Sequence, residues 1–140
     1  MSAIRRAFTL VEILIVVVIL GILASIVVPK FSNAVQESSE TATLDQLDKV
    51  RRALSVYYVQ NGSAFPAITE GDGTWAELLT SHMRTPPVNA WVRPENSKKI
   101  VIGDRADDAW QGDYAWIYDP ATGQVYAGGF SAQDQPFPRE

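Results

Sequence analysis

Between Phe8 and Val28 the chain is apolar almost without a break, and from Ile13 onward only Gly21 and Ser25 interrupt it. At ~1.5 Å per residue, a helix of that length covers the roughly 30 Å hydrocarbon core of a bilayer. Pro29 then lacks the N–H that would satisfy the Ser25 carbonyl. Membrane helices tolerate such a proline where hydroxyls or neighbours compensate, so Pro29 reads as a kink. Beyond it the pattern changes. Phe31, Ala34 and Val35 lead into Leu44, Leu47, Val50, Leu54, Tyr57 and Tyr58, whose later spacings of three and four make one apolar stripe. Charged residues lie mostly off that stripe, with Asp48 and Arg52 at the i,i+4 spacing that supports a helix. Asn61-Gly62 marks the stop, because glycine takes the left-handed conformation a C-terminal cap needs.

The second half reads differently. Residues 63–97 are rich in Pro, Gly, Ser and Thr, with one helical interlude from Trp75 to Leu79. Strand-like runs follow at Lys99–Gly103, Asp113–Tyr118 and Gln124–Gly128. The last two flank Asp119-Pro120-Ala121-Thr122-Gly123, a turn with proline early and glycine late. The expected fold is therefore α+β: a long kinked N-terminal helix, half membrane and half amphipathic, packed on a small antiparallel sheet. Trp110, Trp116, Tyr118 and Tyr126 are expected to fill the space between them. The organisation expected is a leader at 1–7, a membrane helix at 8–28 and an amphipathic helix at 29–62. A loop region at 63–97, the sheet at 98–130 and a loose tail at 131–140 complete it, the tail barred from a further strand by Pro136 and Pro138.

Three readings compete for the apolar run. A secretory signal has a shorter apolar region ending at small residues, and here the run passes Ala24-Ser25 and continues to Val28. A buried core helix is disfavoured, since so small a domain can hardly enclose a helix apolar on every face. A plain single-span anchor accounts for Arg5 and Arg6, which the positive-inside rule keeps cytoplasmic. It gives no use to Glu12. A carboxylate within such a span costs about 2.5–3.5 kcal/mol at its centre, and less near an interface. The plain account of Glu12 is a residue favoured by the helix dipole at headgroup level. The alternative is a positive partner on another chain, which removes most of the penalty.

The run Arg5-Arg6-Ala7-Phe8-Thr9-Leu10-Val11-Glu12, with the apolar stretch to Ala24, closely resembles the N-terminal signal of type IV pilins and type II secretion pseudopilins. The resemblance covers residues 5–31. It implies cleavage by a prepilin peptidase between Ala7 and Phe8, then methylation of the Phe8 amine. It also implies that Glu12 pairs with a neighbouring subunit's N-terminus during assembly, and that Gly21 and Pro29 bound a segment able to lose helicity. The family usually carries Gly before the cut, where this chain has Ala7. More loosely, Tyr57–Pro66 and Pro87–Trp91 look like the loop after the long helix in small pseudopilins.

Composition narrows the remaining chemistry. With 140 residues the chain has room for one compact core. A net charge of -4 and few clustered basic residues argue against nucleic acid as a partner. The absence of cysteine excludes disulfides, thiolate metal sites and a cysteine nucleophile. His82, the one histidine, sits in a polar stretch without acid-base architecture. Asp104, Asp107 and Asp108, with Asp113 beyond, are the candidate oxygen ligands for calcium, which some pseudopilins hold in a C-terminal loop. Their spacing lacks the EF-hand pattern, and solvated turn carboxylates are the plain reading. The four tryptophans invite a carbohydrate-binding reading, though aromatics in a small α+β domain are more often core, and the sequence does not separate the two.

The function this implies is structural, not enzymatic. The expectation is a secretion pseudopilin, a homo-oligomeric filament subunit stored in the inner membrane with its C-terminal domain outside the cytoplasm. Prepilin peptidase, minor pseudopilins and an inner-membrane assembly platform would be its partners. The alternatives are a type IV pilin for adhesion, motility or DNA uptake, and a single-span anchor displaying a binding or enzymatic domain.

Overall fold

A computed structural model of the chain describes residues 8–71, 73–79 and 82–139. The elements in order are α1 (Leu10–Gln60), α2 (Ala76–Leu79), a 3-10 turn (Pro94–Asn96), β1 (Ile100–Ile102), β2 (Trp116–Tyr118) and β3 (Val125–Ala127). The chain divides into two units, residues 1–36 and 37–140.

In the first unit the described residues are the N-terminal part of α1. Its apolar side chains from Leu10 to Val28 are all exposed, and Phe31 and Val35 beyond Pro29 are exposed too. Among the described residues, α1 is the one helix long and apolar enough to cross a membrane. A helix apolar on every face and covered on none needs lipid or other chains around it. Gly21 and Pro29 both lie within the helical span, and the Ser25 hydroxyl donates to the Ile22 carbonyl at 2.7 Å.

The second unit holds the core. On α1, burial begins at Thr43 and continues through Leu47, Val50, Ala53 and Leu54, one stripe at spacings of three and four. Gly62, at φ +66°, closes the helix, and the Ser63 N–H donates back to the Tyr58 carbonyl at 2.9 Å in the Schellman arrangement. Against the stripe pack Trp75, Leu78, Trp91, Trp116, Tyr118 and Phe130. Three of the four tryptophans are thus core residues. Trp110 is partly buried. Tyr126 is half-buried between inward-facing Val125 and Ala127, as strand alternation requires.

The sheet has the order β1-β2-β3, and it is mixed, which corrects the antiparallel expectation. β1 and β2 run parallel, with Ile100 opposite Trp116 and Ile102 opposite Tyr118. β2 and β3 are antiparallel, joined by the Asp119–Gly123 turn. The physical reason lies in the connections. A tight turn reverses the chain, whereas the long segment 103–115 lets it return in its original direction, and parallel neighbours need a dozen or more residues to do so. Strand propensity alone carries no such information.

Residues 131–139 also depart from expectation: they are fastened down. Phe137 N donates to the Gly129 carbonyl at 2.9 Å, and Phe130 bridges Pro136. Arg139 donates to the Ala90 carbonyl at 2.8 Å and lies 4.2 Å from the Trp91 ring centroid. Isolated hydrogen bonds and the arginine side chain anchor this segment without a further strand.

Candidate functional site

The N-terminal end of α1 is built from a reciprocal cap. The Thr9 hydroxyl accepts from the Glu12 N–H at 3.2 Å, while Glu12 Oε2 accepts from the Thr9 N–H at 2.8 Å and its hydroxyl at 2.9 Å. This is the capping box, in which an N-cap threonine and a glutamate three residues later satisfy each other's orphan donors. It gives Glu12 a local role that the dipole argument only approaches. Sequence reasoning misses Thr9, although Thr-x-x-Glu before an apolar run is the pattern that signals it. Phe8 is 80% exposed, immediately ahead of the cap. Ala7 and the rest of 1–7 lie outside the described residues.

The candidate calcium ligands do not gather. Asp104 and Asp108 are exposed, whereas Asp107 is half-buried and bonded to the protein. Its Oδ2 accepts from Gln111 Nε2 at 2.9 Å and from the Gly129 N–H at 2.7 Å, and its Oδ1 accepts from the Tyr114 hydroxyl. Burial, then this bond to Asp107, pushes the Tyr114 phenol well above its ordinary pKa, so it stays a donor. His82 meets the Tyr57 ring edge-on at 6.1 Å between centroids, a packing contact.

Two further residues organise the domain, and neither role has a local signal in the chain. Asn89 is fully buried between α1 and the sheet. Arg51, on α1, donates to both carboxylate oxygens of Asp134 at 2.6 and 2.9 Å, and to the Val125 carbonyl.

Residues 3–28 match the family model of the prokaryotic N-terminal methylation motif. Over 121 residues the chain is 31% identical to the type II secretion system core protein G of Klebsiella michiganensis, an alignment spanning 86% of this chain and 79% of that one. The chain belongs to the core protein G family. The core protein G of Vibrio cholerae agrees, with 31% identity over 93% of this chain and 84% of its own length. A type IV major fimbrial protein, FimA of Dichelobacter nodosus, is 35% identical over 39% of this chain and 35% of itself. No solved structure matches the chain significantly. The likeness to core protein G thus covers most of the chain, and that to the fimbrial protein about two fifths of it.

Proposed function

We infer that this core protein G family member is the major pseudopilin of a type II secretion system, a structural filament subunit whose N-terminal helix assembles to drive protein export. The observation that carries the reading is the 86% span of the core protein G alignment, in a chain whose α1 is, among the described residues, the one helix long and apolar enough to cross a membrane. The fimbrial alternative has likeness over only 39% of the chain in its favour.

The steps assigned to the N-terminus are those that the likeness of its residues to the prokaryotic N-terminal methylation motif supports. A prepilin peptidase cuts after Ala7 and methylates the Phe8 amine. Arg5 and Arg6 hold the leader on the cytoplasmic side, which leaves the C-terminal domain outside the cytoplasm. In the filament the apolar span moves from lipid to sister helices, at little cost because both surroundings are apolar. The Phe8 amine of a neighbour then meets Glu12. Both Glu12 contacts in the cap use Oε2, so Oε1 is the oxygen assigned to that amine. An unpaired carboxylate in the apolar core is penalised, which makes the pair set axial register. Gly21 and Pro29 are assigned as the points where the helix bends. Minor pseudopilins and an inner-membrane platform complete the assembly.

The test is intact mass and N-terminal sequencing of the protein from its native membrane. A chain beginning at methylated Phe8 is expected. An intact Met1 start, or cleavage near Ala24-Ser25, would overturn the filament reading in favour of a plain anchor or signal peptide.

A further inference from the structure

Some pseudopilins hold a calcium ion in a C-terminal loop, and Asp104, Asp107 and Asp108 are the candidate ligands for one here. Calcium takes six to eight oxygen ligands at about 2.3–2.6 Å. Backbone carbonyls and water can supply some of those oxygens, and carboxylates have to supply the charge that holds the ion. The three that are drawn partly away from solvent, Asp107, Asp119 and Asp134, are already engaged by protein hydrogens. Asp107 receives three, from Gln111, Tyr114 and Gly129. Asp119 is taken up by the Ala121 N–H and Thr122 hydroxyl of its own turn. Asp134 receives the Arg51 guanidinium on both oxygens. Each donor hydrogen lies where a cation would have to sit, and an arginine fork beside a carboxylate repels a metal as well as blocking it.

The other carboxylates of this half do not make up the deficit. Asp113 pairs with Arg93 at 3.1 Å. Asp104 and Asp108 stand exposed. Among the described residues no three carboxylate or imidazole groups come together as a metal-holding set. The residues present do not fit the ion.

Two of the engaged carboxylates do have a shared purpose. Asp107 sits in the β1–β2 connection and grips Gly129, just past β3. Arg51 reaches from α1 to the Val125 carbonyl on β3 and to Asp134 beyond it. Both therefore clamp the same stretch, from β3 into the C-terminal segment, from opposite sides of the sequence. Gly129, at φ +79°, is what lets the backbone N–H turn toward Asp107, and a Cβ there would come within 3.0 Å of the Trp91 ring.

We propose that the C-terminal segment of this pseudopilin is fastened by two protein-made staples, the Asp107 hub and the Arg51–Asp134 pair, in place of a divalent cation. Its fold and thermal stability are then independent of calcium. The pseudopilin reading supplies the calcium candidate being tested, but the processing experiment above succeeds or fails independently of this one.

The test uses the mature full-length protein in detergent micelles, stripped with a chelator and titrated with calcium chloride to about 1 mM, the weak end of extracellular calcium modules. Calorimetric titration reads binding, and near-ultraviolet circular dichroism of the buried tryptophans reads the melting midpoint. No binding isotherm is expected, with one midpoint at every calcium concentration. Asp107→Asn and Asp134→Asn are each expected to lower that midpoint by about 4 °C or more, equally with and without calcium. A saturable isotherm, or a midpoint that climbs saturably with calcium, overturns the proposal. The unmutated protein decides this alone, so the result holds even where a variant fails to fold.

Discussion

The Thr43 hydroxyl and the Asn89 side-chain carbonyl lie 3.2 Å apart, joining two fully buried polar residues 46 positions apart in the chain. The Thr43 hydroxyl, with one proton, has the Ser39 carbonyl at 2.8 Å as its other acceptor, and the remaining bonds of Asn89 are unshared. The Asn89 amide donates to the carbonyls of Ala115 at 2.9 Å and Gly128 at 3.0 Å, and its Oδ1 also accepts from the Trp91 N–H at 2.8 Å. Thr43 Oγ1 in turn accepts from the Ala90 N–H at 3.1 Å. One side chain thereby locks helix, loop and sheet into register.

Replacing Asn89 with Ala strands several of these buried partners at once. Each unsatisfied group costs about 1–3 kcal/mol, so a loss on the order of 3 kcal/mol is expected in chemical unfolding. Asn89→Asp should be no better than Ala, because a carboxylate cannot donate to the two carbonyls. Near-native stability in the Asp variant would show that the two amide donations contribute little.

Glu12 has two roles to separate: the cap and the intersubunit pair. Glutamine preserves the capping box and removes the charge. Glu12→Gln is therefore expected to insert into membranes normally and to give few filaments. Thr9→Val removes the capping hydroxyl, costing about 1 kcal/mol at the helix start, and should still assemble. Pelleting of sheared filaments, scored beside membrane fractionation, measures both. Wild-type filament yield from Glu12→Gln would discard the pairing role.

Gly123 sits at φ +70°, and a Cβ on it would lie 2.1 Å from Phe65 Cε1. Phe65 is stacked on Tyr58 with centroids 4.5 Å apart, so it cannot withdraw without breaking that contact. Gly123→Ala is expected to cost about 1–3 kcal/mol for the backbone alone, and more for the clash. Adding Phe65→Ala should relieve only the clash. If thermal unfolding finds the two changes strictly additive, the aromatic ring is not what excludes the side chain.

Alkaline pH should weaken the domain through Tyr118. Burial, followed by the negative charges of Glu77 and Asp119, pushes its phenol well above the ordinary value, while its hydroxyl donates to the Pro66 carbonyl at 2.9 Å. The folded state then holds the proton more tightly than the unfolded one. The stabilisation is fully present below the unfolded value of about 10 and is lost as pH rises beyond it. Tyr118→Phe is expected to flatten the fall in melting midpoint above pH of about 10. An unchanged slope would mean that other groups carry the alkaline transition.

Much of this protein is written locally. The almost continuous apolar run from Phe8 to Val28 is readable because a helix long and apolar enough to cross a membrane depends on composition and length, not on partners. The Leu47–Val50–Leu54 stripe and the Gly62 cap are equally local, since helix periodicity and a positive φ belong to neighbouring residues. So does the Asp119–Gly123 turn, whose carboxylate bonds within four residues. What could not be read was every decision taken between distant segments. Whether β1 meets β2 parallel depends on the path of 103–115, and strand propensity is blind to direction. Asp107 looks like one of three equivalent acidic residues until Gln111, Tyr114 and Gly129 converge on it alone. Asp134 looks like part of a loose tail because its partner, Arg51, stands 83 residues away on another element. Hydrogen bonds between such residues are chosen by the packed core that brings them together, and only folding supplies that geometry.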